Sequence, residues 1–350
     1  MDQQDALTTS LYSQLFEEAI ANECITLCPG IQGTFAKESR RDTFYWYWIG
    51  RDNNGTARRV YIGPENKDTE ELIASLKNRK DMAKQAIEGM KRTSAAYRGA
   101  GGQINEPSHF KIISLLARQG LFQKGVFIIG SHGFLSICNA LGISASTPFL
   151  RTTDIDFARP QGISLAIPDE RKALLDIPAA LKAIDKNFFL DPRLDEKNPS
   201  TSMQNNKSKV KVDFLTAYRG SKEPVFFDDL GIAAEPLRFM DFLLAGEPLK
   251  GLIIGSYAIP VNLPSPARFA IHKLIISQER PYHFVAKSQK DIAQAAILLD
   301  YLVHEDAEQI IDALLACLTT EDAVKNIKKT LPELNRINGL LSDFIAAHLK

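Results

Sequence analysis

The chain has 350 residues with 42 Lys and Arg against 42 Asp and Glu, so the formal net charge is zero and any nucleic-acid contact must come from a local patch. An apolar fraction of 45% supplies a sizeable core and excludes a disordered chain. The length predicts two or three modules, and the lack of any run of about 18 apolar residues excludes a membrane-spanning helix.

A first module is predicted over residues 1–120. Its start, Met1 to Asp5, lacks the basic head and apolar core of a signal peptide, so a cytoplasmic protein is expected. A helix pattern covers Asp5 to Cys24, with Leu11, Leu15, Ala19 and Ile20 in one stripe. Aromatic runs from Thr43 to Ile49 and from Arg58 to Ile62, joined by Asp52-Asn53-Asn54-Gly55, predict a β-hairpin. Tyr45, Trp46, Tyr47 and Trp48 alternate within it, two toward a core and two toward a base or a protein partner. A long helix follows from Asp68 to Arg98, with a stripe of Leu72, Leu76, Arg79, Ala83, Ile87 and Met90. Lys77, Arg79, Lys80, Lys84, Lys91, Arg92 and Arg98 outnumber Asp81 and Glu88 on this helix. They form either a solvated face or a phosphate-contacting surface. The glycines of Arg98 to Gly102 predict a hinge or a flexible loop, and a further helix is predicted from Ser108 to Gln119.

The second module, 121–262, holds the chemistry. A strand from Val126 to Ile129 enters a Gly130-Ser131 turn and then a helix. Gly130 permits close backbone approach to a phosphate at the helix start, and Ser131 adds a hydroxyl. The next strand carries Asp154 and Asp156, which point to one face because side chains alternate. Two carboxylates about 4 Å apart repel by about 4 kcal/mol at an effective dielectric of 20, so a cation is expected between them. Asp213 lies in a further strand pattern from Val210 to Leu215, either at that site or paired with Lys211 on its own face. Thr152 shares the face of the two acids and is placed to support them, whereas Arg151 falls on the opposite face. His132 reads as a surface or packing residue. The polar stretch from Asp185 to Lys209 reads as a hairpin connection in preference to a substrate loop.

The third module, 263–350, is predicted helical, with Ser265 as N-cap and Pro266 in the first turn. Before it, Leu237 to Leu243 and Leu252 to Ile259 read as extended. Cys24, Cys28, Cys138 and Cys317 are scattered, without the paired spacing of a zinc site, and read as buried thiols.

The ordered set of Gly130-Ser131, then Arg151-Thr152-Thr153-Asp154-Ile155-Asp156, then Asp213 resembles the signature of the DNA polymerase beta-like nucleotidyltransferase superfamily. The likeness covers residues 121–220 and, more loosely, extends to about 300. A looser similarity to AbiE-type toxins takes in Arg151, Thr152, His272, Lys273, Arg280 and Lys290. The resemblance implies an α/β (α+β) fold: a polymerase beta-like core, an N-terminal hairpin and helix module, and a helical C-terminal region. It implies Asp154, Asp156 and Asp213 as catalytic, metal-binding residues holding two Mg²⁺ ions, or Mn²⁺, roughly 4 Å apart. Asp213 would serve the acceptor-side metal or act as base. Gly130, Ser131, Arg151, Thr152, Lys273 and Lys290 would bind the NTP. The implied reaction moves a nucleoside monophosphate to an acceptor hydroxyl and releases pyrophosphate. The acceptor stays open between nucleic acid, as in a toxin with an antitoxin partner, and a protein or small molecule. A non-catalytic regulatory role is the remaining alternative.

Overall fold

The computed structural model describes residues 2–25, 33–40, 43–51, 57–150, 152–162, 175–192 and 198–349. Short β1 (Asp2–Gln3) leads into α1 (Ala6–Ile25), which buries Tyr12, Leu15 and Ala19 along one face. Strands β2 (Gly33–Arg40), β3 (Thr43–Arg51) and β4 (Ala57–Pro64) form an antiparallel sheet in that order. The predicted hairpin therefore gains a third strand, and its predicted Asn-Gly turn lies outside the described residues. Helix α2 (Lys67–Gly99) is capped by Asn66, whose side chain accepts from Thr69 N at 2.8 Å, and acidic Asp68 and Glu70 suit its positive end. Only part of its apolar stripe is buried. Met90, Thr93, Ser94 and Tyr97 dock on the rest of the molecule, but Leu72 and Leu76 are 50% and 38% exposed. The first half of α2 leaves the body to carry the small sheet, and Ile73, not Leu72, turns inward.

Helix α3 (Pro107–Arg118) is capped by the Glu106 carboxylate, which accepts from the Ser108 and His109 N–H groups at 3.1 and 3.2 Å. Then come β5 (Phe127–Ile128), α4 (Gly130–Ala140), β6 (Ile143–Ser144), which pairs with β1, α5 (Thr147–Leu150) and β7 (Asp154–Ala158). After α6 (Ile177–Ile184), β8 (Phe188–Leu190) and β9 (Ser202–Asn205) pair antiparallel, and β9 turns into β10 (Lys211–Ala217). The polar stretch read as a connection therefore itself carries two short paired strands, with 193–197 outside the described residues. Strands β11 (Val225–Phe227) and β12 (Ile232–Leu237) precede α7 (Met240–Leu244). The extended reading of Leu237 to Leu243 is corrected here. The strand stops at Leu237, Phe239 adopts a left-handed φ of 63°, and a helical turn follows. Strands β13 (Leu249–Ile254) and β14 (Ala258–Leu263) complete a sheet of order β11-β12-β10-β7-β5-β14-β13. Strand β7 runs parallel to β10 and antiparallel to β5.

Helices α8 (Pro266–Ser277), α9 (Val285–Glu305), α10 (Ala307–Cys317), α11 (Glu321–Ile337) and α12 (Gly339–Ala347) follow. Pro266 occupies the first turn of α8, as predicted, while Ser265 makes no side-chain cap bond. One apolar core runs from Phe110 on α3 through the sheet to Leu349. A smaller cluster joins Tyr12, Leu15, Met90 and Tyr97 to Leu252, Ile254 and Ala258, fastening the N-terminal helices to the sheet edge. Cys138 and Cys317 are buried thiols, and burial pushes Cys317 up to about 12. Cys28 and the Cys24 side chain lie outside the described residues.

Candidate active site

Alternation along β7 sends Ile155 and Phe157 into the core and leaves Asp154 and Asp156 on the other face. Strand β10 repeats the pattern. Val212 and Phe214 are buried, with Phe214 stacked on Phe157 at 5.4 Å, and Lys211 and Asp213 lie on the cleft face. The parallel register sets Asp213 beside Asp156 and Lys211 beside Asp154. Burial, reinforced by the charges of Asp213 and Asp154, raises Asp156 to about 6, against a partial offset from Lys273 and Lys287. Burial also raises Asp213, although Lys211 opposes it.

The glycine turn meets these acids directly. Gly130 has φ of +63°, and a Cβ built there would fall 2.0 Å from Asp156 Oδ2, so the carboxylate occupies the space any side chain would need. Ile129 N donates to Asp156 O at 3.0 Å and fixes strand to turn. Helix α4 begins at Gly130 with no side-chain cap, so its first N–H groups have no acceptor in a preceding turn. The positive end of α4 and the acids therefore share one mouth. Ser131 Oγ accepts from Lys290 Nζ of α9 at 2.8 Å. Burial and neighbouring Lys273 lower the Lys290 pKa.

Ammonium groups already answer two of the acids. Lys211 Nζ lies 3.0 Å from Asp213 Oδ1, the predicted same-face pair, and Lys287 Nζ lies 3.5 Å from Asp154 Oδ2. Lys287 carried no signal in the sequence. Its contact spans the gap from α9 to β7 and depends wholly on how the helical region folds back. Thr152 Oγ1 accepts from the Asp154 backbone N–H at 3.1 Å, so it braces the strand rather than the carboxylate. Thr153 Oγ1 reaches Asp154 Oδ1 at 3.2 Å instead. Arg151 lies outside the described residues.

Lys273, expected to bind the NTP, lines the cleft and is engaged by an acid there. It is buried, and its Nζ lies 2.7 Å from Asp291 Oδ1, while Arg280 Nε lies 2.5 Å from Asp291 Oδ2. Burial alone would raise Asp291, but Lys273 and Arg280 outweigh it and hold the carboxyl below its usual range. His132 is not at the surface. Asn105 Oδ1 accepts from Ile254 N at 3.1 Å, which leaves Asn105 Nδ2 to donate to His132 Nδ1 at 2.9 Å. His132 Nε2 then donates to His109 Nδ1 at 2.9 Å, and burial lowers His132 to about 3, so it stays neutral. His272 is buried in the cleft wall, lowered by burial to about 3, and its Nε2 finds no partner among the described residues. Such an orphan is costly unless something fills it.

The acids, the glycine turn, His272 and the lysines line one cleft of about 1900 Å³ between the sheet and the C-terminal helices, bounded by Gly130, Asp156, Asp213, His272, Lys287 and Arg238 among others, whereas His132, His109 and Asn105 lie outside its lining. Three carboxylates are a donor set that suits a hard divalent cation. The raised Asp156, crowded by two like charges, is the group such a cation would relieve. As the side chains stand, no three acidic, histidine or cysteine groups among the described residues are gathered tightly enough to enclose an ion.

No curated protein and no solved structure matches the chain. A family model described as Nucleotidyltransferase matches residues 108–318, from the first turn of α3 to just past the end of α10. That span takes in the glycine turn, all three acids and the two lysines of α9, and the chain belongs to this nucleotidyltransferase family.

Proposed function

We propose that the chain transfers a nucleoside monophosphate from an NTP to a hydroxyl of a nucleic acid, with Asp154, Asp156 and Asp213 holding divalent cations. The observation that carries this reading is the pressing of Asp156 against Gly130 at an uncapped helix start, with Asp213 in register beside it. The N–H groups of α4 and the hydroxyl of Ser131 would take the phosphates, where the helix dipole favours negative charge. Lys287 and Lys290 would add charge from α9, with Lys290 exchanging its Ser131 contact for phosphate. Lys273 would act at one remove, holding Asp291 and Arg280 in place. Bound Mg²⁺ or Mn²⁺ would neutralise phosphate charge and lower the pKa of the acceptor hydroxyl. The rest of the work is positioning. A nucleic-acid acceptor is favoured by the exposed lysines and arginines of α2.

The test is transfer of α-phosphate label from each NTP to bulk RNA by the purified chain with Mg²⁺, with pyrophosphate release measured in parallel. Labelled RNA and stoichiometric pyrophosphate are expected. Label on protein or on a small molecule would move the acceptor class, and no label with any acceptor would contradict transfer itself.

A further inference from the structure

The small N-terminal sheet has two unlike faces. One rests on α2: Lys77 Nζ sits 5.6 Å from the Trp46 ring, Lys80 donates to Gly33 O at 3.2 Å, and Gly63 lies against Thr69. The other face carries Tyr45, Tyr47 and Ile49 of β3 with Arg59 and Tyr61 of β4, following the two-residue alternation and the Tyr47–Tyr61 register. Tyr61 bridges the other two rings, with centroids 6.1 Å from Tyr45 and 5.6 Å from Tyr47. The Arg59 guanidinium lies 4.0 Å over Tyr47 and pairs with Glu38. Tyr61 is 54% exposed and Ile49 38%. Tyr47 is buried at 8% exposure, so Tyr61 and the half-buried Tyr45 supply the ring surface of this face, with a guanidinium beside them, and such rings can stack unpaired bases.

Charge on the same module says what would settle there. Residues 33–102 hold fourteen basic and nine acidic side chains, whereas residues 1–32 hold no basic ones. On α2, Lys77, Lys84, Lys91 and Arg98 recur every seven residues, so they stay within about 60° of one helix face. Met90, Thr93, Ser94 and Tyr97 occupy the docked face, centred about 120° around the helix from the stripe. At 1.5 Å per residue the four cations span about 30 Å, from the sheet to the body that holds the acids.

We infer that this arm is a docking surface for single-stranded nucleic acid, which stacks unpaired bases on Tyr45 and Tyr61 and lays phosphates along the Lys77–Arg98 stripe. It rests on the nucleic-acid acceptor proposed above and adds where that acceptor is held. A duplex, whose bases are already stacked, has nothing to offer the tyrosines. A folded protein partner would use the apolar rings but would not give a steep, lysine-dependent salt response.

The test is fluorescence anisotropy of a labelled, unstructured 12-nucleotide RNA with the full chain, titrated with salt. Tyr45→Ala/Tyr61→Ala should weaken binding by about tenfold or more with the salt slope unchanged. Tyr45→Phe/Tyr61→Phe, which keeps the rings, should retain binding. Lys84→Gln/Lys91→Gln/Arg98→Gln should flatten the log–log slope by about 2 units, at roughly 0.7 per single-strand phosphate contact. Binding of a fluorescent NTP analogue should be unchanged in all three variants, which checks that the cleft is intact. No binding of the RNA by wild type, equal binding of a duplex, or no loss in the alanine variant would overturn the proposal. RNA bound in this way but never labelled from NTP would leave the docking surface standing and contradict the acceptor assignment alone.

Discussion

Asp156 and Asp291 line the same cleft, one on strand β7 and the other on helix α9, and both are largely out of bulk water. Burial pushes on them equally in kind, and their neighbours decide the outcome. Asp291 has two cations within hydrogen-bonding distance and is held below its usual value. Asp156 has two carboxylates for neighbours and is raised to about 6. A buried acid matched by its own chain is structural. One left with surplus negative charge is, on the proposed function, the group that a cation from outside would relieve.

The contrast breaks most sharply at Asp156. Asp156→Asn should cut transfer about a thousandfold or more, since several kcal/mol of charge stabilisation are lost. The same variant should melt higher than wild type without metal. Its raised native pKa means the ionised carboxylate costs about 3 kcal/mol above pH 6, a cost absent below the unfolded value of 3.8. Activity assays and thermal melts in EDTA read both effects, and a variant that is inactive because it is unfolded would contradict the contrast.

Asp291→Ala should do the reverse. It leaves Lys273 and Arg280 without their shared partner and should cost about 3–5 kcal/mol in urea unfolding. Because the native pKa is depressed, this stabilisation is complete above the unfolded value of 3.8 and is lost as pH falls through the native value. The wild-type advantage over the variant should therefore persist at pH 5 and shrink only in stronger acid. A stable Asp291→Ala protein would make the triad a binding feature instead.

Gly130→Ala sharpens the comparison at the point of contact. A left-handed φ costs a side chain about 1–2 kcal/mol, and the added methyl also displaces the Asp156 carboxylate. Transfer should fall far more than stability does. A smaller effect is expected at His272, whose Nε2 has no partner among the described residues, so that removing it leaves no group unpaired there. His272→Leu should leave stability unchanged or raise it by about 1 kcal/mol, and should raise the KM for NTP about tenfold if nucleotide is what fills the orphan. An unchanged KM would place that atom outside the nucleotide site.

Much of the acid face was legible before folding, because a strand's two-residue period dictates which side chains share a face. Asp154 and Asp156 followed from that rule, and so did the Lys211–Asp213 pair. That β7 and β10 are neighbours in register depends on pairing partners, for which only the resemblance spoke. Contacts from α8 and α9 were beyond local pattern. Lys287 was unmarked, and Lys273 could not be told from a solvated lysine until Asp291 and Arg280 were seen around it. Elsewhere, β2 was invisible because Gly33 to Arg40 is charged and nearly devoid of apolar alternation, so it owes its strand form to β3. The stripe of α2 misled in its first half, where a periodic pattern faces solvent because the helix has left the body. The extended reading of Leu237 to Leu243 failed because short apolar runs fit either period, and the left-handed turn at Phe239 decided it.

The central claim is that three acids carry surplus negative charge which divalent cations neutralise when nucleotide binds. Its most direct test is Mn²⁺ binding followed by electron paramagnetic resonance, with and without a non-hydrolysable NTP analogue, in wild type and Asp156→Asn. Wild type should take up two Mn²⁺ per chain with the analogue present, and Asp156→Asn should lose at least one of them while keeping its fold. Equal Mn²⁺ uptake by the two proteins would contradict the assignment of these carboxylates as the metal site.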